Sequence, residues 1–241
     1  MALAPETYLA AITRETGALA SAAAANLEAR VPSCPDWTVA DLAYHVGDVY
    51  CSWRKLVEER RQTGHTGEMA HRPPDDELLG WVREESGKLV AALAVDPSIP
   101  VWTWAPQKDV AFVQRRMAHE TIVHRADADL ARGVIGPLDA ALAADGVDEF
   151  LTWFLPGDPD ELADPGETIH LHATDSGDEW LVRVAGGEAT VTREHAKADA
   201  AARAPVADLL WLLWRRIPAS GVDVVGDAAV LDRFLHRPAL T

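Results

Sequence analysis

The apolar residues of this 241-residue chain recur at helical spacing as far as about residue 154, then alternate one for one from residue 168. That change of period constrains the fold most. A helix repeats a face every three to four residues, a strand every second residue. With the two periods in succession, a helical part is followed by a sheet-containing one.

Residues 5–29 are rich in Ala and Glu, with Leu9, Ile12, Leu19 and Leu27 in loose helical spacing. Their helix propensity is strong and their packing face narrow. The run Val31-Pro-Ser-Cys-Pro-Asp-Trp37 interrupts the helix twice with proline. Thr38 then predicts an N-cap, with Asp41 three residues on completing a capping box. The helix it starts carries Leu42, Val46, Val49, Trp53 and Val57 as one stripe, with His45 near its centre. Residues 62–74 read as a loop. Residues 75–95 and 109–131 read as the third and fourth helices, the latter stopped by Gly133. Residues 137–154 predict a fifth.

Strands are expected at 168–174 and 179–185, with Gly186-Gly187 turning into a third at 189–192. Residues 199–216 read as helix interrupted near Pro205, and Asp227 caps a last helix through Val230, Leu231 and Phe234. The expected architecture is a helical bundle over residues 1–158 and a small α+β domain over 159–241.

Asp plus Glu outnumber Lys plus Arg by 38 to 22, a formal charge of −16. Such a surface repels phosphates and anionic lipid, so neither nucleic acid nor membrane is an expected partner. Residues 1–10 lack the basic and apolar segments of a secretion signal. Residues 206–214 are too short to span a bilayer and are broken by Asp208. Two cysteines make no disulfide framework and fit a reducing cytoplasm. The nine tryptophans are expected as core filler and helix staples, Trp37 joining the first two helices.

Chemistry concentrates at Glu120 and His124, four residues apart and therefore on one helical face. A carboxylate and an imidazole so placed can give two ligands to a divalent metal, and His45 on another helix is the candidate third. Two His and one Glu leave a position open for water or a thiol. The alternative is a solvated Glu120 with hydrogen-bonded histidines. His119 points about 100° away from Glu120. Asp48, one turn after His45, reads either as an acceptor that orients its ring or as a surface acid. His170 and His172 share a strand face opposite Ile169 and Leu171, the wetter side, and are not expected as ligands. Cys51 reads as a small buried hydrophobe and Cys34 as a loop thiol.

The fragments Asp36-Trp-Thr-Val-Ala-Asp-Leu-Ala-Tyr-His-Val46 and Arg116-Met-Ala-His-Glu-Thr-Ile-Val-His-Arg-Ala-Asp127 resemble the signatures of the mycothiol-dependent maleylpyruvate isomerase family. Ile169-His-Leu-His-Ala-Thr-Asp175, Asp208-Leu-Leu-Trp-Leu-Leu-Trp-Arg-Arg216 and Gly226-Asp227 resemble its C-terminal domain. The resemblance implies a DinB-like four-helix bundle followed by an α+β domain. It also implies a metal, Zn2+ or another divalent ion such as Ni2+, on His45, Glu120 and His124. Mycothiol is the implied cofactor or co-substrate, its thiolate adding to a conjugated cis alkene that rotates before the thiol leaves. The family's late functional arginine matches Arg216 most nearly. Relatives often place Gly before it where this chain has Arg215, and either arginine could instead serve the dipole at a helix C-terminus.

The expected activity is that of a cytoplasmic, metal- and thiol-dependent enzyme acting on a small electrophile, as monomer or homodimer. Mycothiol S-transfer and metal-dependent hydrolysis use the same centre. The reading from another class is a non-catalytic bundle, stabilised by metal, that binds a ligand or a protein partner.

Overall fold

A computed structural model gives the protein's structure, described here over residues 2–64, 67–155, 166–185 and 188–236. Two compact units divide it, residues 2–136 and 137–241.

The first unit is built on four long helices: α1 (Pro5–Ala23), α2 (Val39–Glu58), α3 (Asp75–Leu93) and α4 (Val110–Leu130). α1 packs on α3 and α4, and α2 on α3 and α4, closing a four-helix bundle. Its interior holds Ile12, Leu19, Leu42, Val46, Leu78, Leu89, Val113, Met117 and Ile122, all buried. Among them Tyr50 hydrogen-bonds the hydroxyls of Thr16 (2.8 Å) and Thr121 (2.7 Å), so its polar end stays satisfied inside the core. Gly47 lets α2 approach α3: a Cβ there would lie 2.2 Å from the Trp81 ring.

The predicted capping box is present. Thr38 Oγ1 accepts from Asp41 N, and the Asp41 carboxylate accepts from Thr38 N. Asp109 caps α4 through Phe112 N, and Gly133 follows that helix with φ +85°. The first helix stops at Ala23 rather than near residue 29. The proline-broken segment expected as a plain connector forms a small antiparallel ladder, β1 (Arg30–Val31) with β2 (Cys34–Thr38).

In the second unit α5 (Ala140–Glu149) runs into one π-helical turn, Phe150–Phe154, and packs on α6 (Val206–Leu213). The sequence places residues 137–154 with the bundle, whereas the compact units part at 136/137 because α5 buries its apolar side against α6.

The sheet has the order β5-β4-β3-β6-β7: β3 (Thr168–Ala173), β4 (Glu179–Ala185), β5 (Glu188–Thr192), β6 (Ala200–Ala204) and β7 (Asp223–Gly226). β3 pairs parallel with β6, and the other pairs are antiparallel. The predicted turn at Gly186-Gly187 lies outside the described residues. Residues 200–204, expected as helix, are the parallel strand β6. Pro205 disfavours the helical conformation in the residue before it, and the alanines fit the space between β3 and the helices. One sheet face, with Ile169, Leu171, Trp180, Val182, Ala200 and Ala202, is buried; α6 and α7 (Ala228–His236) pack against β3 and β6. Among the described residues no helix is long and apolar enough to cross a membrane.

Candidate metal centre

His45 stands two turns into α2, where the capping box sets the helix start and the Leu42–Val46 stripe faces the core. Glu120 and His124 lie midway along α4, one turn apart. The packing of α2 on α4 brings His45 Nε2 to 3.6 Å from Glu120 Oε1 and His124 Nε2 to 3.1 Å from the same oxygen. The imidazole rings are 5.0 Å apart at 82°. One donor atom from each of the three side chains lies within 4.8 Å of the others.

Each ligand candidate is held by a further group. The other Glu120 oxygen, Oε2, accepts from Arg116 Nη2 at 3.1 Å, which leaves Oε1 for the cluster. His124 Nδ1 meets Asp127 Oδ2 at 2.9 Å, and Asp127 is fully buried. Its second oxygen accepts from Ser33 Oγ, in the turn between β1 and β2. Nδ1 of His124 is thereby committed and Nε2 faces the cluster, the arrangement in which a carboxylate orients a metal-binding imidazole. The Trp37 ring, on β2, is 4.8 Å from the His45 ring.

The electrostatics favour positive charge here. Burial opposes ionisation of Glu120, yet His124, His45 and Arg116 hold its carboxyl well below the usual range. Burial also opposes charge on His124, but Glu120 and Asp127 carry its pKa up to about 9. Two imidazoles and a carboxylate are a donor set that suits zinc and related divalent ions. A tetrahedral ion with bonds of about 2.0–2.1 Å would set its donors roughly 3.4 Å apart. The 3.1 and 3.6 Å separations bracket that value. The residues present therefore fit such an ion, and His45 remains a third exposed.

The residues around the cluster separate on inspection. His119 is buried away from the cluster, its ring 6.2 Å from Tyr8 on α1. Of the two readings of Asp48, the structure shows its Oδ1 accepting from Ala70 N at 2.6 Å, away from the His45 ring. Arg125 lies buried between Glu15 (3.0 Å) and Asp129 (2.8 Å), a link from α1 to α4. Trp37 abuts His45, the two ring centroids 4.8 Å apart.

Arg216 belongs to the second unit. Its Nη1 donates to Trp214 O at 2.7 Å, and its guanidinium lies 5.8 Å from the centre of the Trp214 ring. α6 ends in a Schellman turn: Arg216 N donates to Trp211 O and Arg215 N to Leu212 O. Arg215 takes the left-handed position with φ +58°, the place where glycine is usual, and its Nε donates to Leu235 O at 2.8 Å. That explains why a glycine would suit the position before Arg216.

Sequence reasoning missed Asp127, Ser33 and Arg116 as supports. Asp127 was accessible, three residues after His124 on the same helix. Ser33 was not, because its role depends on the β1–β2 turn reaching α4.

A helical bundle with a His, Glu, His donor set between two of its helices, followed in the chain by an α+β unit, defines the class of this protein. The family model described as the mycothiol maleylpyruvate isomerase N-terminal domain matches residues 9–129, and the MDMPI C-terminal domain model matches residues 141–233. The chain belongs to the mycothiol-dependent maleylpyruvate isomerase family. Crystal structures of the mycothiol-dependent maleylpyruvate isomerase and of a histidine-to-alanine mutant each match with a TM-score of 0.65 at 15% identity. Each match covers 94% of this chain and 95% of the other, and at that identity the likeness is one of fold. No curated protein sequence matches the chain.

Proposed function

We propose that this protein is a cytoplasmic enzyme dependent on a divalent metal and a low-molecular-weight thiol, of the maleylpyruvate isomerase type, with mycothiol as the thiol. The observation that carries the reading is the convergence of His45, Glu120 and His124 on one point, with Asp127 and Arg116 orienting two of them. Zn2+ is the favoured ion, with Ni2+ the nearest alternative for such donors.

A divalent ion held by His45, Glu120 and His124 would lower the pKa of a coordinated thiol, which otherwise ionises near pH ~8.5, so that its proton is released to solvent and the thiolate is available as nucleophile. The chain's own residues do the rest. His45 and His124 give neutral donors and Glu120 a single anionic one, so the centre keeps net positive charge. Asp127 fixes the His124 tautomer, and Arg116 keeps Glu120 from turning away. Trp37 covers one side of His45 and limits water there. Isomerisation about a conjugated double bond needs a nucleophile that adds, permits rotation and leaves again. A substrate for that chemistry carries carboxylates, and Arg216 is the cation proposed to bind one.

The test is turnover of maleylpyruvate by metal-loaded protein with and without mycothiol, followed by mass spectrometry. Thiol-dependent conversion at unchanged mass is expected, whereas a product heavier by the thiol would reassign the protein to S-transfer. His45→Ala, Glu120→Ala and His124→Ala should each lose the metal of this centre and, with it, activity. Arg216→Ala should keep its metal and raise KM. Normal metal stoichiometry in all three ligand variants would remove the centre, and absence of thiol-dependent turnover across a panel of electrophiles would remove the enzyme.

A further inference from the structure

Among the described residues a second group of side chains brings ligand atoms together. His170, His172, Glu179 and His195 each offer one donor atom within 4.8 Å of the others. All four belong to the second unit, and none takes part in the function proposed above.

Their placement follows from the sheet. The face of β3 opposite Ile169 and Leu171 carries His170 and His172, two residues apart. In the β3–β4 register His172 lies directly across from Glu179, so the carboxylate rises on the same face. Glu179 Oε1 is 2.9 Å from His172 Nδ1, and Oε2 is 3.3 Å from His170 Nε2. The fourth member comes from the connection between β5 and β6: His195 Nδ1 lies 2.8 Å from Glu179 Oε2.

That connection is anchored two residues earlier by contacts unrelated to the histidines. Arg193 pairs with Asp148 and with Asp178 (2.7 Å), and its guanidinium lies 4.4 Å from the centre of the Trp180 ring. His195 is thus delivered to the cluster by the fold around it.

The three rings surround one point. Their centroids are 5.3, 5.9 and 6.1 Å apart, and their planes meet at 89°, 71° and 76°. Hydrogen bonding to Glu179 accounts for one nitrogen of each ring. An ion bound by those nitrogens and the carboxylate would gather the same four donors about one point, the arrangement a tetrahedral site takes.

We propose that His170, His172, Glu179 and His195 form a second divalent-metal site on this face of the sheet. Three imidazoles and one carboxylate select a borderline transition ion, Zn2+ first, over Mg2+ or Ca2+, which take mostly oxygen ligands. Four protein donors complete a tetrahedral shell, so this site is structural where the first is open. Its effect is to tie the β5–β6 connection to β3 and β4 by a bond absent from the backbone ladder.

The site is independent of the bundle centre, and the experiment keeps the two apart. Full-length protein stripped with chelator is dialysed against buffered Zn2+, and bound zinc is counted by elemental analysis. Wild type is expected to hold two equivalents, and His45→Ala/His124→Ala one. In that double variant, adding His195→Ala should weaken the remaining equivalent by more than about tenfold. His195 has a side chain 77% exposed, so its removal does not threaten folding. His172→Ala should act alike, and a cobalt-loaded double variant should show tetrahedral absorption bands. Should the double variant fail to fold, His195→Ala alone must lower the wild-type count from two to one. Zinc that stays bound equally well after His195→Ala and His172→Ala, or a folded double variant that binds none, overturns the site.

Discussion

Asp127 offers the sharpest test of how the bundle centre is built, because it touches the proposed ion only through His124. Its Oδ2 meets His124 Nδ1 at 2.9 Å, and its Oδ1 accepts from Ser33 Oγ, with Asp127 itself fully buried. In Asp127→Asn the amide oxygen can still accept from Nδ1–H while the amide nitrogen donates to a turned Ser33 hydroxyl. Shape and both contacts survive, and only the negative charge goes. Loss of such a partner weakens metal binding by about 10- to 100-fold, or roughly 1.4–2.7 kcal/mol. The isosteric variant belongs near the lower figure. Asp127→Ala, which strands both Nδ1–H and the Ser33 hydroxyl, belongs near the upper one.

A second effect of Asp127 runs the other way. It helps to hold a proton on His124 in the ion-free site, where the pKa stands at about 9. That proton competes with metal at neutral pH, so removing Asp127 also removes part of the competition. The sign is clear: the proton is bound below pH ~9 and released above it, and competition fades as pH rises. Zinc affinity is therefore to be measured against a chromophoric chelator at pH 7 and again near pH 9. The larger weakening should appear at the higher pH and a smaller one at pH 7. Affinities within twofold of wild type for both variants at both pH values would refute this account of the site.

Other consequences are as direct. Arg215→Gly relieves a left-handed residue, worth about 1 kcal/mol, against loss of one hydrogen bond to Leu235 O, so its Tm should hold or rise. Arg215→Val should fall by more than about 1 kcal/mol in urea denaturation, and equal losses in the two would discard the Schellman reading. Asp41 is held at a pKa of about 2, first by Arg72 and then by Thr38. Its contribution is present above the ordinary value of 3.8 and disappears as pH falls through about 2. After screening, this amounts to about 0.5–1 kcal/mol; Asp41→Asn should flatten the acid limb, and parallel acid limbs would count against it. Burial, with Glu85 alongside, pushes the Cys51 thiol up to about 12. At pH 8 only about one molecule in ten thousand carries that thiolate, so iodoacetamide should label Cys51 orders of magnitude more slowly than glutathione; comparable rates would contradict this.

The bundle was legible because its information is local. Apolar spacing, the Thr38–Asp41 box and Gly133 each act within a turn or two, so α2, α3 and α4 emerge close to their predicted limits. The second unit depends on partners distant in sequence. Residues 200–204 are four alanines and an arginine, a helix by propensity, and become a central strand only because β3 and β7 flank them. The division between the units moved for the same reason: α5 is helical on its own evidence, but its packing partner α6 lies some sixty residues later.

The same distinction separates the two histidine clusters. Glu120 and His124 announce themselves through one helical turn, and one further helix supplies His45. The second cluster has no such signature. His170 and His172 declare a shared face, and alternation through Trp180 puts Glu179 on the polar side of its strand. Their meeting, however, requires the hairpin to close with His172 opposite Glu179, a register that the Thr174–Asp178 turn sets. His195 lies beyond the end of β5, where neither period applies, and reaches the cluster because Arg193 is pinned to Asp148 and Asp178. A pair of histidines two residues apart on a strand is weak evidence for a ligand set until the register across the hairpin is known, and the side expected to be the wetter one in fact buries His170 and leaves His172 part-exposed. Once Glu179 stands opposite and a third ring is brought over it, the polar face of this sheet has a reason to be rich in histidine.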